Sequence, residues 1–216
     1  MSLTLTRRRL AMLLPAGGLA IALRATAAQN QTTDSAEATP SDIPDSLCLP
    51  AEPGDEPGTC RRGPVPVTLR IDAIGVAAPI EILETVGGVM QQPSDEVHVA
   101  WYKETARLGE TGNLHLAGHI NWWGVPEAVF FHLGELREGD EVLLSDEDET
   151  AFTYTVEWVR QESNLEPPRE EVLGMTNYEA VTLMTCSGEW NSEISEYDSR
   201  TVVRARRVPE AGTPEA

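Results

Sequence analysis

Short apolar and β-branched segments at close spacing limit the fold of this chain more than any other feature of its sequence. They recur from residue 64 onward as VPVTLRI, NLHLAGHI, DEVLLS, FTYTVEW, AVTLMTC and RTVVRAR. Turn-forming segments such as VGGV, REGD, EPPREE and CSGEWN separate them. Frequent short strands of this kind are typical of a β-barrel or a β-sandwich. We therefore predict an all-β domain over residues 64–207.

One of these segments has a clear strand pattern, whereas helical patterns are weak throughout. In FTYTVEW, Phe152, Tyr154, Val156 and Trp158 alternate with other residues, which predicts that these four share one face of a strand. PEAVFFHLGEL and REEVLG each have room for a short helix or a 3₁₀ turn. We expect such helical turns only in the connections between strands.

The length and charge of the chain limit the number of domains and the partners. A chain of 216 residues suits one globular domain with tails. The formal net charge is -19 and Lys103 is the single lysine, so the clustered cations of a nucleic-acid-binding protein are missing. We therefore exclude nucleic acid as a partner and interpret the acidity as a feature that keeps an exported protein soluble.

Residues 1–28 have the pattern of an export signal. Arginines at positions 7–9 precede an apolar stretch over residues 10–23, and Ala25 and Ala27 suit signal-peptidase cleavage. The apolar stretch is shorter than the roughly 17 to 25 residues that span a bilayer as a helix. We predict a signal peptide, with a retained membrane anchor as the alternative. The protein is then extracytoplasmic, secreted or anchored at the cell surface.

The sequence predicts an acidic, proline-rich linker over residues 29–63 and a disordered tail over residues 208–216. The linker has no helical or strand period and cannot bury enough apolar surface to fold alone. Cys48 and Cys60 lie within it and are reasonable disulfide partners in an oxidising compartment. Cys186 is then the unpaired cysteine of the chain.

Cys186 ends the apolar segment AVTLMTC, and its thiol needs a partner to become a nucleophile. A thiol with the ordinary pKa of about 8.5 is mostly protonated at neutral pH unless a cation, a base or a dipole lowers that value. His119 is the best candidate, because the Ala-Gly pair before it removes side-chain bulk, as at a strand end that opens onto a cleft. His98 and His132 are interpreted as structural. The alternative for Cys186 is a small buried hydrophobic residue.

His115 and His119 raise the question of a metal site, because a His-x-x-x-His pair on a helix can bind zinc. On a strand, residues four apart are about 13 Å from each other at roughly 3.3 Å per residue, which is too far for one ion. The sequence also lacks the signature of a calcium-binding loop. We therefore expect no metal and no other cofactor.

Three separated segments together resemble one enzyme family. TLMTC at residues 182–186 is similar to the strand end of sortases that carries their cysteine, and LAGHIN at residues 116–121 is similar to their histidine segment. RTVVRAR at residues 200–206 resembles the strand that carries their arginine. The order and spacing of the three segments also agree. The resemblance covers roughly residues 64–207 and is to class D, E and F enzymes of actinobacteria and their relatives, with the subclass open.

This resemblance implies a fold and a function. The fold is a closed β-barrel of the sortase type, with Cys186 and His119 at the ends of neighbouring strands and an arginine beside them. The function is that of a cysteine transpeptidase, which cleaves a Leu-Pro-x-Thr-Gly-like sorting motif of a surface protein and forms a thioacyl-enzyme. An amine of the cell envelope or of a pilin then accepts the acyl group. His119 serves as the general acid and base.

Arg200 is the predicted catalytic arginine, suited to stabilising an oxyanion or orienting the substrate backbone. Sortases commonly have arginine followed by x-Val-Val, and Arg200 lies nearest the start of its strand. Arg204 shares the same strand face and Arg206 follows it, so both are alternatives. Some sortases place the arginine two residues earlier, where this chain has Asp198.

Substrate binding has weaker candidates. Thr185 supports the oxyanion or is only a strand-forming residue. Trp122 follows the histidine segment and Trp190 follows the cysteine, so either tryptophan forms a wall of the substrate groove or shields loop backbone.

Two other classes of protein compete with this interpretation. An L,D-transpeptidase needs a Ser-x-Gly-Cys block, whereas this chain has TCSGEWN in a different order. A non-catalytic extracellular β-barrel, for adhesion or scaffolding, would not need the set of Cys186, His119 and Arg200.

Overall fold

The computed structural model describes residues 47–49, 53–54, 56, 59–164, 169–193 and 195–209. The predicted signal peptide or anchor, most of the predicted linker and most of the predicted tail lie outside the described residues. Within the described residues, no helix combines the length and the apolar character needed to cross a membrane.

The described part of the chain forms a closed barrel and a separate two-stranded hairpin. The strands are β1 (Thr68–Ile71), β2 (Val76–Leu83), β3 (Thr85–Val86), β4 (Val89–Met90), β5 (Val99–Tyr102), β6 (Gly112–Gly118), β7 (Glu141–Ser145), β8 (Ala151–Ser163), β9 (Glu179–Asn191) and β10 (Glu196–Arg207). The barrel order is β1-β2-β5-β6-β9-β10-β8-β7, with β7 pairing back to β1, and β3 and β4 form the hairpin. β2 and β5 pair in parallel, as do β6 and β9. The predicted all-β fold and closed barrel are confirmed.

From residue 59 onward, the helical turns of the described part of the chain lie in the connections between strands, as predicted. The one α-helix among the described residues, α1, spans Glu170–Leu173, within the segment REEVLG. A 3₁₀ turn at Leu133–Glu135 lies within PEAVFFHLGEL, and another follows β1 at Asp72–Ile74.

Alternation along the strands fills the barrel interior with apolar side chains. Val181 and Leu183 of β9 and Val203 of β10 belong to one buried cluster, and the residues between them face outward. Trp101 is among the largest fully buried side chains, and its indole N–H donates to the carbonyl of Ala106 at 3.1 Å. Burying a large apolar side chain stabilises a fold by about 1.5 to 3 kcal/mol, so this cluster holds the strands that carry the outer face.

α1 and the residues around it cover part of the outer face of β6, β9 and β10. Arg204 of β10 is only 3% exposed. Its Nε donates to Thr182 Oγ1 at 2.9 Å, and its Nη2 donates to the carbonyls of Glu171 and Val172 at 2.9 and 3.0 Å. Asn113 of β6 accepts from Thr182 Oγ1 at 2.7 Å and donates to the carbonyl of Val172 at 3.1 Å. These hydrogen bonds join α1 to all three strands.

The prediction that Trp158 shares a face with Tyr154 and Val156 is wrong. β8 has one extra residue between the positions that oppose Arg204 and Ala205 of β10, which is a β-bulge. The bulge reverses the alternation. Tyr154 and Val156 face the core, whereas the Trp158 ring lies outside, 5.4 Å from the guanidinium carbon of Arg204.

The prediction of a turn at CSGEWN is also wrong, because β9 continues to Asn191. A second bulge lies where Ser187 opposes Ser199 and Trp190 opposes Tyr197. Gly188 has φ +81°, and a Cβ there would come within 2.0 Å of Asp198 Oδ1, so the bulge requires glycine. The extra residue lets the strand continue past a sequence that has the composition of a turn.

The predicted Cys48–Cys60 disulfide is present, and Cys186 is a free thiol. Leu47, next to the bridge, belongs to the buried apolar cluster. After the bridge, the carboxylate of Glu110 accepts hydrogen bonds from Arg62 Nε at 2.6 Å and from the backbone N–H of Gly63 at 2.7 Å. The bridged segment is therefore attached to the barrel at both ends.

Candidate active site

Cys186, His119 and Arg200 lie at the same end of three neighbouring strands. Cys186 of β9 is the direct register partner of Arg200 on β10. β6 runs parallel to β9, and their last paired residues are Ala117 and Met184. His119 and Cys186 each lie two residues beyond this pair, so the two residues stand at the same end of neighbouring strands. All three positions belong to the outward-facing set of the barrel.

These residues line an open groove of about 1470 Å³ on the outside of the barrel. The groove also includes the other predicted substrate-binding residues, Thr185, Trp122 and Trp190. The structure therefore brings all six candidate site residues to one surface feature.

His119 is held by a hydrogen bond at Nε2, by a ring contact and through its backbone. Its Nε2 lies 3.0 Å from the carbonyl oxygen of Pro93, and its ring centroid is 4.5 Å from that of Trp122. The backbone N–H of Phe130 donates to the His119 carbonyl at 3.0 Å. A Cβ at Gly118 would come within 2.6 Å of the Phe130 ring. The glycine before the histidine therefore makes room for a buried ring beneath it.

The Cys186 thiol is partly buried, and its surroundings shift its pKa in opposite directions. Burial raises the pKa of the Cys186 thiol above its ordinary value, because a thiolate is poorly solvated there. The positive charge of Arg200 acts in the lowering direction, and the negative charge of Glu196 adds to the rise. At neutral pH the resting thiol is therefore mostly protonated, and formation of the thiolate requires a base.

Arg200 and Arg204 lie on the same strand face but in different surroundings. Arg200 lines the groove, and its Nη1 donates to the carbonyls of Ser199 and Tyr197 at 3.1 and 3.4 Å. Arg204 lies beneath α1 and is not among the groove residues. Of the alternatives to Arg200, Arg206 forms an ion pair with Glu157 at 2.8 Å.

Asp198 and Thr185 both use their side chains in the support of the site. Asp198 accepts from the backbone N–H of Glu189 at 3.1 Å and from Ser199 Oγ at 2.8 Å, which closes the bulge after the cysteine. The Thr185 hydroxyl donates to the carbonyl of Gly118 at 2.8 Å. It therefore joins β9 to β6 directly before His119.

Trp190 lies on β9 past the bulge and is more than half exposed. Its ring meets the ring of Tyr197 edge-on with a centroid separation of 5.2 Å. The Tyr197 hydroxyl in turn accepts from Asn121 Nδ2 at 2.5 Å. These contacts connect the wall formed by β9 and β10 to the segment after His119.

Several groove residues carry no local sequence signal. Pro93 precedes β5, Met90 belongs to the β3–β4 hairpin, Asn164 follows β8, and Glu196 and Tyr197 begin β10. Their place in the groove depends on strand pairing between distant parts of the chain.

The other histidines lie outside the groove. His98 Nδ1 is 2.7 Å from Asp95 Oδ1, and His132 Nδ1 is 2.7 Å from Glu135 Oε1. His115 is buried on β6, and its Nε2 has no hydrogen-bond partner. Within the described ranges, no three His, Cys, Asp or Glu side chains are grouped as a metal site would require.

Comparison with known proteins gives one family and many solved relatives of the fold. A family model described as the sortase domain matches residues 69–208. No curated protein matches the sequence. The match spans every strand of the barrel except the first residue of β1.

Solved structures similar to this chain are sortases of different classes. A sortase D5 transpeptidase of Clostridium perfringens is 24% identical, with a TM-score of 0.50 over 68% of this chain and 79% of that chain. Sortase C-1 of Actinomyces oris is 21% identical, with a TM-score of 0.53 over 66% of this chain and 71% of that chain. Sortase A of Listeria monocytogenes is 19% identical, with a TM-score of 0.51 over 68% of this chain and 88% of that chain. At these identities the likeness concerns the fold, and the subclass stays open.

Proposed function

The chain belongs to the sortase family, and we propose that it acts as a cysteine transpeptidase whose nucleophile is the Cys186 thiolate. The observation that carries this proposal is the level placement of Cys186, His119 and Arg200 along one groove. A nucleophile, a base and a donor to the developing oxyanion are groups that catalyse acyl transfer from a peptide, and a guanidinium suits the last of these roles.

The first half of the reaction breaks a peptide bond of the substrate. His119 takes the proton of the Cys186 thiol, and the sulfur attacks the carbonyl carbon to form a C–S bond. The resulting oxyanion is stabilised by the Arg200 guanidinium, which is always charged and has several donors. The imidazolium then protonates the leaving nitrogen, and the C–N bond breaks to leave a thioester on Cys186.

The second half transfers the acyl group to an amine. Neutral His119 removes a proton from the nitrogen of the incoming neutral amine as the new C–N bond forms, and the imidazolium gives this proton to the sulfur as the C–S bond breaks. The cycle ends with the thiol restored and the proton returned. His119 therefore alternates between acid and base, and the raised pKa of the Cys186 thiol makes this proton transfer necessary.

The substrates follow from the family. We infer that the acyl donor is a surface protein with a Leu-Pro-x-Thr-Gly-like sorting motif, cleaved between Thr and Gly, and that the acceptor is an envelope or pilin amine. We also infer an extracytoplasmic site of action. The Cys48–Cys60 disulfide supports this location, because such bonds persist mainly in oxidising compartments.

Trapping of the thioester tests the proposal. Purified protein is incubated with a library of peptides based on the sorting motif, without an amine, and its intact mass is measured. We expect a mass increase equal to the acyl fragment, located on Cys186, that disappears when an amine is added. Cys186→Ala should give no adduct, because no other group in the proposed mechanism forms the covalent bond.

Ser187→Ala is a matched control for the loss of a nucleophilic side chain. Ser187 follows the cysteine, its hydroxyl is buried without a hydrogen-bond partner, and it does not line the groove. The adduct should persist in this variant. His119→Ala should lower the rate of adduct formation by about 10² to 10⁴-fold. Absence of an adduct with every peptide, together with slow alkylation of Cys186, would support the non-catalytic barrel instead.

A further inference from the structure

A backbone carbonyl of the segment between β4 and β5 contacts the proposed catalytic histidine. Pro93 is buried, and its carbonyl oxygen is 3.0 Å from His119 Nε2. A carbonyl oxygen can only accept a hydrogen bond, so the Nε2 atom must carry the proton in this contact. In the neutral ring the other nitrogen, Nδ1, is then the atom that accepts a proton.

The position of this carbonyl depends on the next residue, Ser94. The backbone N–H of Ser94 donates to Glu81 Oε2 at 3.0 Å, and the Ser94 hydroxyl donates to Glu81 Oε1. Both oxygens of one carboxylate therefore hold one residue of the segment. Hydrogen bonds to a charged group are shorter and stronger than neutral ones, so this pair fixes the peptide unit that contains the Pro93 carbonyl.

The Glu81 carboxylate belongs to a strand that is paired within the barrel. Glu81 lies on β2 and is the parallel register partner of Ala100 on β5, within the barrel. The same segment is held from its other side, because the carbonyl of Glu96 accepts from the backbone N–H of Val129 at 2.8 Å. The residue after Val129 is Phe130, which donates to the His119 carbonyl. Hydrogen bonds thus connect this segment to His119 in two ways, directly to the ring and through Val129 and Phe130 to the backbone.

We propose that Glu81 is a positioning residue for the transpeptidase reaction. Acting through Ser94 and the Pro93 carbonyl, it holds the His119 ring in the Nε2–H tautomer and leaves Nδ1 as the atom that receives and returns protons. This inference rests on the proposed role of His119. It goes further by assigning both halves of the proton transfer to Nδ1 and by naming the carboxylate that holds the ring in this tautomer.

The test compares Glu81→Ala, Glu81→Gln and Glu84→Ala. Glu81→Ala removes both hydrogen bonds to Ser94. Glu81→Gln keeps an oxygen for the Ser94 N–H and offers an amide N–H to the Ser94 hydroxyl, so it should rescue the contact. Glu84→Ala is the matched control, because Glu84 lies one residue past the end of β2 and its side chain pairs with Lys103 instead of Ser94.

The first measurement is the ¹⁵N spectrum of the His119 ring, assigned by comparison with His119→Ala. In wild type we expect one Nε2–H tautomer, with a ring N–H proton that exchanges slowly enough to be observed. Glu81→Ala should lose that proton signal and show averaging of the two nitrogens. Glu81→Gln and Glu84→Ala should keep the wild-type spectrum. This measurement needs no substrate.

The second measurement is peptide turnover. Glu81→Ala should lower kcat by about 10- to 100-fold through misorientation of the ring, with KM within about threefold of wild type. Glu81→Gln should recover most of the loss. Unchanged ring signals and unchanged kcat in Glu81→Ala would overturn the inference. If no peptide is turned over by wild type, the proposed function fails while the ring spectrum still decides the positioning.

Ser94→Ala covers the case in which Glu81→Ala does not fold. It removes the hydroxyl contact and keeps the backbone N–H, so we expect a partial loss of the ring N–H signal and a smaller loss of kcat. A Ser94→Ala protein with the wild-type ring spectrum and wild-type kcat would overturn the inference by itself.

Discussion

The two halves of the outer face of β10 place the same residue type in opposite surroundings. Arg200 opposes Cys186 and lines the groove, whereas Arg204 opposes Thr182 and lies beneath α1. The two arginines are on one strand and one face. The cover that α1 provides is what separates them.

This difference shows that residue type and strand face do not decide the role of an arginine. Beneath α1, Arg204 donates hydrogen bonds to Thr182 Oγ1 and to two backbone carbonyls, so it stabilises the packing of α1 on the barrel. In the groove, the charge of Arg200 acts on the Cys186 thiol. We call the part of β10 around Arg200 its open end and the part around Arg204, beneath α1, its covered end. We therefore expect changes at the open end to affect chemistry and changes at the covered end to affect stability.

The largest expected effect is on turnover at the open end. Arg200→Ala should lower kcat by about 10² to 10³-fold, the usual loss for one donor to an oxyanion. Arg200→Lys should recover only part of it, because an ammonium keeps the charge without the planar arrangement of donors. Peptide cleavage by folded protein, verified by circular dichroism, measures both. Wild-type turnover in Arg200→Ala would remove the distinction between the two ends.

The next effect is on stability at the covered end. Arg204→Met keeps the side-chain stem but removes three hydrogen bonds, and it should lower the free energy of unfolding by about 2 to 3 kcal/mol. The kcat of the folded variant should stay within about threefold of wild type. Urea unfolding and peptide cleavage are the measurements. A hundredfold loss of kcat at unchanged stability would instead assign the catalytic role to Arg204.

The covered end should also make the barrel sensitive to acid through His115. Burial, followed by the charge of Arg204, lowers the pKa of His115 from its ordinary 6.5 to about 4. The unfolded chain therefore binds this proton first as the pH falls, and stability is lost between pH 6.5 and about 4. At pH 5 this contribution is on the order of 2 kcal/mol.

His115→Leu removes both the titration and the unpaired Nε2. Its free energy of unfolding in urea should equal or exceed that of wild type at pH 7, and the difference should grow in its favour toward pH 5. The comparison of the two proteins at each pH cancels the titration of the carboxylates. Parallel stability curves for the two proteins would contradict this account of the covered end.

The smallest effect concerns the reactivity of the thiol. Arg200 opposes the burial that raises the pKa of the Cys186 thiol. Arg200→Ala should therefore lower the fraction of thiolate and slow alkylation of Cys186 by iodoacetamide at pH 7 about two- to fivefold. Arg204→Met is the matched control and should react at the wild-type rate. An equal effect of both substitutions would mean that the charge at the covered end also reaches the thiol.

Much of the barrel and of the candidate site could be predicted from local patterns. Alternation and turn residues indicate the strands, and the segments around Cys186, His119 and Arg200 resemble those of sortases. The two predictions that are wrong, the face of Trp158 and the turn at CSGEWN, both concern β-bulges. At Trp158 and at Gly188, one extra residue in a strand changes the alternation or continues a strand through a turn-like segment, and only pairing with the neighbouring strand reveals this.

By itself, the sequence determined the class of fold, the family, the disulfide, and the cysteine and histidine proposed for the chemistry, because each follows from residue types within short segments. The tertiary structure alone decided which arginine faces the groove, because the cover over Arg204 comes from α1, more than 30 residues earlier in the chain. It also decided the contact between the Pro93 carbonyl and His119 and the hold of Glu81 on Ser94. These contacts join segments through strand pairing across the barrel, and no local pattern encodes the partner of a backbone carbonyl.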